Sequence, residues 1–174
     1  MAQQCEQPEE PFLVERANGV KHPSETYARA FLGLVRAGEA LDRSLDLELK
    51  ARHGLSLRAF EVLLHLAAFS PSGSLRMSQL TAQAPLSQSR VSRLVAELEA
   101  RGLATRSAFA GDNRGVLVSI TEGGLDALRA AQDTHYTGLY ERLFAHLTWT
   151  DVTTLARVTA TITAETDPAD PTRP

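Results

Sequence analysis

A change of hydrophobic period near residue 102 constrains this chain more than any other feature. Before it, Val91, Leu94, Val95 and Leu98 fall at i, i+3, i+4 and i+7, the spacing of a helix with one buried face. Gly102 ends that pattern, because glycine is the residue best suited to close a helix. After it, Leu103–Phe109 and Val116–Thr121 alternate and are rich in β-formers. These two stretches flank Gly111-Asp112-Asn113-Arg114-Gly115, whose composition is that of a hairpin tip. Helical spacing resumes beyond Thr121, a helix-capping residue.

The remaining pattern supplies those helices. Tyr27, Phe31, Leu34, Val35, Leu41, Leu45 and Leu49 mark a long amphipathic helix from Ser24 to about Arg52, ended by Gly54. Ser56 is placed to cap a second helix with Leu57, Phe60, Leu63, Leu64 and Ala67 inward. Pro71-Ser72-Gly73-Ser74 reads as a loop, and Met77 to about Ala84 as a short helix with Met77, Leu80 and Ala84 inward. Pro85 breaks the backbone, and Ser87 caps the next helix, Ser87–Arg101. Later helices are expected from Glu122 to about Leu147 and from about Thr150 to Glu165, the last with Val152, Leu155, Ala156 and Ile162 on one face. The fold class is therefore mainly α with a small β-wing, in the order α-α-α-α-β-β-α-α.

Two short helices, a tight turn and a hairpin are the parts of a winged helix-turn-helix over residues 75–121. The expected organisation is a tail at 1–23, a helix at 24–54, a DNA-binding domain at 55–121, further helices at 122–166 and a tail at 167–174. The tails are inferred from Gln, Glu and Pro at the start and three prolines in the last eight residues.

The chemistry of the fourth helix carries the functional reading. Opposite its apolar face stand Ser87, Gln88, Ser89, Arg90, Ser92 and Arg93. Hydroxyls and amides can bond base edges, and arginine can fork onto guanine. No acid interrupts them before Glu97, and beyond it Glu97 and Glu99 would repel phosphates, which limits the reading face to Ser87–Arg93. Arg101 is then a helix-end charge or phosphate contact. Between Arg76 and Arg114 six arginines face three acids, a local +3 inside a chain of net charge −3. At the hairpin tip Arg114 can enter a minor groove, with Asp112 two residues before it as orienter and Asn113 beside it. The implied partner is double-stranded DNA.

At these residues the sequence resembles the MarR family (multiple antibiotic resistance regulators). The resemblance spans about Ser24–Glu165. It rests on Leu75-Arg76-Met77-Ser78-Gln79-Leu80, on Leu86 to Val95, on Leu98-Glu99-Ala100-Arg101-Gly102-Leu103, and on Asp112-Asn113-Arg114 followed by Val116 to Thr121. Asp112 and Arg114 meet the D-x-R pattern of the family's wing. The resemblance implies a homodimer formed by the first helix and the last two, a palindromic operator, repression, and release by a small, often phenolic ligand. The length of the terminal helices agrees with a dimer, since a domain this small cannot cover them alone. Phe31, Val35, Phe60, Leu64, His65 and His135 are the candidate ligand contacts.

Other chemistries find less support. Cys5 is the single cysteine, so no disulfide framework is expected, and it precedes the first helix without a partner that would activate a thiol. The five histidines contain no H-x3-H pair; His135 and His146 would lie about 16 Å apart on one straight helix, too far to share a metal. Gly123-Gly124 open a helix without the strand and turn of a phosphate cradle. No catalytic motif is recognisable, and neither an enzyme nor a cofactor is expected. Trp149 is expected to be a packing anchor. With 43% hydrophobic residues, no apolar run of membrane-spanning length and no signal-like start, the expected setting is the cytoplasm, with no membrane partner. The alternative reading is a winged-helix module for protein association without its own operator, which would call for an apolar or acidic patch on the reading helix.

Overall fold

A computed structural model describes residues 10–70, 72–83, 86–109 and 112–166. The chain divides into two compact units, Met1–Arg43 and Ser44–Pro174. The first holds strands β1 (Leu13–Glu15) and β2 (Lys21–Pro23) and the first part of helix α1 (Glu25–His53), which continues into the second. The second contains α2 (Leu57–Ala68), β3 (Ser74–Arg76), α3 (Met77–Gln83), α4 (Gln88–Ala100), β4 (Ala104–Phe109), β5 (Asp112–Ile120), α5 (Glu122–Arg142), a 3-10 turn (Phe144–His146) and α6 (Trp149–Thr166). No helix among the described residues is long and apolar enough to cross a membrane.

In the first unit, the stretch expected to be a tail is ordered from Leu13 to Pro23. β1 and β2 pair antiparallel, Leu13 with Pro23 and Glu15 with Lys21. Gly19, at φ 78°, makes the turn, a conformation that costs glycine nothing. Phe12 meets the ring of Tyr27 edge-on at 5.3 Å. No alternating run of several residues announces a hairpin this short.

The core of the second unit is built on α2. Phe60, Leu63 and Leu66 are fully enclosed, α2 packs on α4, α5 and β5, and the buried set also holds Leu80 of α3, Val91, Val95 and Leu98 of α4, Val118 of β5, and Leu128 and Ala131 of α5. The helix starts because Ser56 accepts a hydrogen bond from the Ala59 amide (3.1 Å), and Asp46 of α1 accepts from the Leu57 amide (3.0 Å). Gly54, at φ 62°, separates the two helices.

The wing has three strands, ordered β3-β5-β4 and antiparallel throughout. β3 lies within and beside the stretch expected to be loop. It forms because Ser74–Arg76 align with Ser119–Leu117, and because the Ser70 hydroxyl both accepts from Ser74 N (3.0 Å) and donates to Ser74 O (2.6 Å). The element order is thus β-β-α-α-β-α-α-β-β-α-α, with the 3-10 turn before the last helix. α5 ends at Arg142 rather than about Leu147. Trp149, expected to be a packing anchor, is 79% exposed, and no residue with a described side chain on α6 is buried.

Candidate nucleic-acid interface

α4 is held by its apolar stripe and presents its opposite face. Val91 and Val95 are fully buried and Leu98 nearly so, which fixes the helix rotation. Ser87, Gln88, Ser89, Arg90, Ser92 and Arg93 are all exposed, as the spacing requires. Ser87 takes the N-cap backbone conformation (φ −65°, ψ 151°) but makes no side-chain cap bond. Its hydroxyl lies instead 3.2 Å from that of Ser89. The Ser87 side chain therefore leaves the amides of Gln88 and Ser89 uncapped, while the Arg90 amide donates to the Ser87 carbonyl (2.9 Å), and the helix dipole at this end favours an anion. Arg93 donates from Nε to the Ser89 carbonyl at 3.4 Å, a long bond, and the Arg90 guanidinium has no partner among the described residues.

Beside this face runs a cleft of about 440 Å³. Arg76, Met77 and Ser78 line it from the start of α3, Gln88 and Ser92 from α4, and Arg106, Gly115 and Val116 from the wing. Among the described residues no carboxylate is in its lining. Arg76, Ser78 and Arg106 were absent from the sequence-based set of contacts. Arg76 and Arg106 were legible as charge but not as position, because only the pairing of β3 and β4 with β5 brings them beside α4.

The arginines of this region divide by partner. Arg106 donates from Nε to Glu99 Oε2 (2.7 Å) and from its backbone amide to Oε1 (3.3 Å). The hydrogen bonds from Arg106 hold the Glu99 carboxyl below its ordinary pKa. Glu99 is thus a paired charge rather than the bare repulsive one that its place in the sequence suggests. Arg101 donates to the Gly54 carbonyl (3.0 Å) and so ties the end of α4 to the turn after α1. Asp112, Asn113 and Arg114 belong to the backbone of β5, and their side chains lie outside the described residues, so the orienting bond between Asp112 and Arg114 stands as an expectation.

The candidate ligand contacts separate into two groups. Phe31 (65% exposed) and Val35 (41%) belong to the first unit, where they are surface residues. In the second unit Phe60 is enclosed, Leu64 and His65 are half-buried, and His135 lies on Phe60 with ring centroids 4.5 Å apart. Tyr136 completes an aromatic cluster with both. The Nδ1 atoms of His65 and His135 are buried without a hydrogen-bond partner among the described residues. Burial pushes the His135 pKa down, with Glu61 acting the other way. Among the described residues no three His, Cys, Asp or Glu side chains form a metal-binding group. Cys5 lies outside them.

Comparison with known proteins agrees with this geometry. A family model described as MarR family matches residues 53–115. Sco3205, a MarR family transcriptional regulator from Streptomyces coelicolor solved in complex with DNA, superposes with a TM-score of 0.82 at 25% identity, covering 88% of this chain and 96% of its own. AbsC, another MarR family regulator from Streptomyces coelicolor, gives 0.79 at 25% identity, covering 84% and 97%. The organohalide-sensing regulator RdhR-CbdbA1625, solved with 2,4-dichlorophenol bound, shares the fold at 0.69 and 19% identity, covering 82% of each chain. A search of curated proteins returned no match.

Proposed function

We propose that this chain, whose residues 53–115 match a MarR family model and whose fold superposes on MarR family regulators, is a MarR-type winged helix-turn-helix protein: a homodimeric repressor that binds a palindromic operator in double-stranded DNA and is released by a small aromatic ligand. The observation that carries this reading is the face of α4 from Ser87 to Arg93. It is exposed, free of acids, and rotated outward by the burial of Val91, Val95 and Leu98. A helix with that face lies in the major groove, and the wing follows the adjoining minor groove. A module for protein association would instead show an apolar or acidic patch there, and α4 shows neither.

The dimer is supported by apolar side chains that the described chain leaves uncovered. On α6, Trp149, Leu155, Val158 and Ile162 are 37–79% exposed. On the first part of α1, Phe31, Leu32, Leu34 and Val35 are 41–65% exposed. Contiguous apolar surface of this kind is normally covered by a partner, and a twofold dimer presents two reading helices about one DNA turn apart. The effector is supported by the aromatic cluster of Phe60, His135 and Tyr136 and by the unpaired Nδ1 atoms of His65 and His135.

The test is binding to a palindrome taken from upstream of the chain's own gene, measured by fluorescence anisotropy at fixed salt. Arg90→Ala and Arg114→Ala are each expected to weaken specific binding by about 1–3 kcal/mol, the usual worth of a base-reading arginine. If both variants bind the operator as tightly as the parent, these reading surfaces are wrong. Aromatic acids and phenols that raise the melting temperature and release the operator would establish the effector class.

A further inference from the structure

The geometry points to Arg106 as a DNA phosphate contact seated in the cleft between α4 and the wing, with Glu99 as the residue that positions it. This inference rests on the DNA-binding reading above and names the groups that hold the strand between the two grooves.

In a duplex, one sugar–phosphate strand separates each major groove from the adjoining minor groove. A helix in the first and a wing in the second must therefore straddle that strand, and its phosphates must pass through whatever lies between them. Here that is the cleft lined by Arg76, Ser78, Gln88, Ser92 and Arg106. Guanidiniums, hydroxyls and an amide are the side chains that contact phosphate oxygens.

Arg106 is prepared for this role. Gln88, Ser92 and Glu99 stand 4 and 7 residues apart along α4, which places them on one stripe. Arg106 approaches that stripe from β4, opposite Val118. Glu99 accepts from the Arg106 Nε (2.7 Å), Nη2 (2.5 Å) and backbone amide (3.3 Å). Those bonds occupy one edge of the guanidinium and lock its plane, leaving Nη1 for a second acceptor. Side-chain exposures of 38% for Arg106 and 36% for Glu99 keep the pair accessible to a strand in the cleft. A fork already held in place loses less freedom when a phosphate arrives.

The experiment uses the full-length protein, an operator duplex from its own upstream region and a mixed-sequence duplex of equal length, with anisotropy titrations across a salt series. Arg106→Ala is expected to weaken binding to both duplexes alike, by roughly three- to tenfold, and to lower the salt slope by about 0.9, the signature of one lost phosphate contact. Arg106→Lys keeps the charge and the slope and loses only part of the affinity. Glu99→Ala removes a negative charge, so simple electrostatics has it bind more tightly; the positioning role has it bind more weakly, by roughly threefold. Glu99→Gln, which retains an acceptor, is expected to stay within about twofold of the parent, and Glu99→Ala in an Arg106→Ala background to cause no further loss. Unfolding midpoints confirm that each variant is folded; should Arg106→Ala fail to fold, Arg106→Gln, which keeps a polar side chain but loses the charge, is expected to show the same drop in affinity and salt slope and decides. If Arg106→Ala leaves affinity and slope unchanged while Arg90→Ala weakens the operator complex, DNA binding stands and this inference falls. If Glu99→Ala tightens binding, Glu99 is a counter-charge and its positioning role is overturned. If the parent binds neither duplex at low salt, the DNA-binding reading fails and takes this one with it.

Discussion

Adding one methyl group at Gly124 tests how tightly the wing is joined to α5. Helix propensity alone says that Gly124→Ala, inside the first turn of a helix, stabilises the protein by up to about 1 kcal/mol. The packing says the reverse. A Cβ at Gly124 would fall well inside van der Waals contact distance of the Leu103 carbonyl oxygen and 2.8 Å from Ile120 Cγ1. Carbon contacts are most favourable near 3.5–4.0 Å, so the methyl intrudes by about 1 Å. The carbonyl cannot simply turn away, because it accepts the Thr121 amide (3.2 Å) at the joint between β5 and α5. Overpacking of this kind costs about 1–3 kcal/mol, and a backbone obstacle places the net effect near 2 kcal/mol of destabilisation. For a chain of this length that lowers the melting temperature by roughly 4–8 °C. The neighbouring Gly123 supplies the control. Its added Cβ would lie 3.4 Å from the Gly102 carbonyl oxygen, an ordinary contact, so Gly123→Ala is expected to be neutral or stabilising by up to about 1 kcal/mol. The assay is urea and thermal unfolding of both variants at one fixed protomer concentration, since association shifts apparent stability. A Gly124→Ala protein as stable as the parent, or more so, would refute the steric argument.

Thr121→Ala removes a hydroxyl that accepts from the Gly124 amide (3.0 Å) and donates to the Gly102 carbonyl (2.7 Å); a loss of about 1–2 kcal/mol is expected in urea unfolding. His135 titrates below its ordinary value of 6.5 in the fold because burial disfavours its charged form. Its contribution to stability is therefore complete above pH 6.5 and is lost as the pH falls from there through the folded pKa, because the unfolded chain binds the proton first. Unfolding measured from pH 8 to 5 is expected to show that decline, and His135→Gln to reduce it; an equal slope in both proteins would assign the decline to other groups. Leu155→Glu places a charge on the exposed apolar face of α6 and is expected to weaken self-association by roughly tenfold or more, read by sedimentation over a range of concentrations, with little change in helix content.

What could be read directly from the sequence was what neighbouring residues decide among themselves. The periods of Leu57–Ala67 and Val91–Leu98 identified helices and their buried faces, since residues three and four apart share a face in any helix. Ser56 and Thr121 cap, and Gly54 and Gly102 terminate at φ 62° and 70°, because those roles depend on a few adjacent backbone groups. The outward face of α4 follows from the same arithmetic: bury Val91, Val95 and Leu98, and Ser87–Arg93 turns to solvent.

Other features needed atoms that lie far apart in the chain. Ser74–Arg76 is too short to show a period and becomes a strand only against Leu117–Ser119. The hairpin at Leu13–Pro23 likewise exists through pairing rather than pattern. Arg76, Arg101 and Arg106 look equivalent as positive charges in the sequence. The fold sends Arg76 to the cleft, Arg101 to the Gly54 carbonyl and Arg106 to Glu99. Trp149 shows the limit from the other side: hydrophobicity marks a side chain that favours burial, but only the packed structure decides whether its own chain covers it, and here it does not. Spacing determined which residues share a face of α4. Where the charges around that face end up, and what Arg101 and Arg106 bond to, was decided by long-range packing, because an ion pair depends on distance in space rather than along the chain.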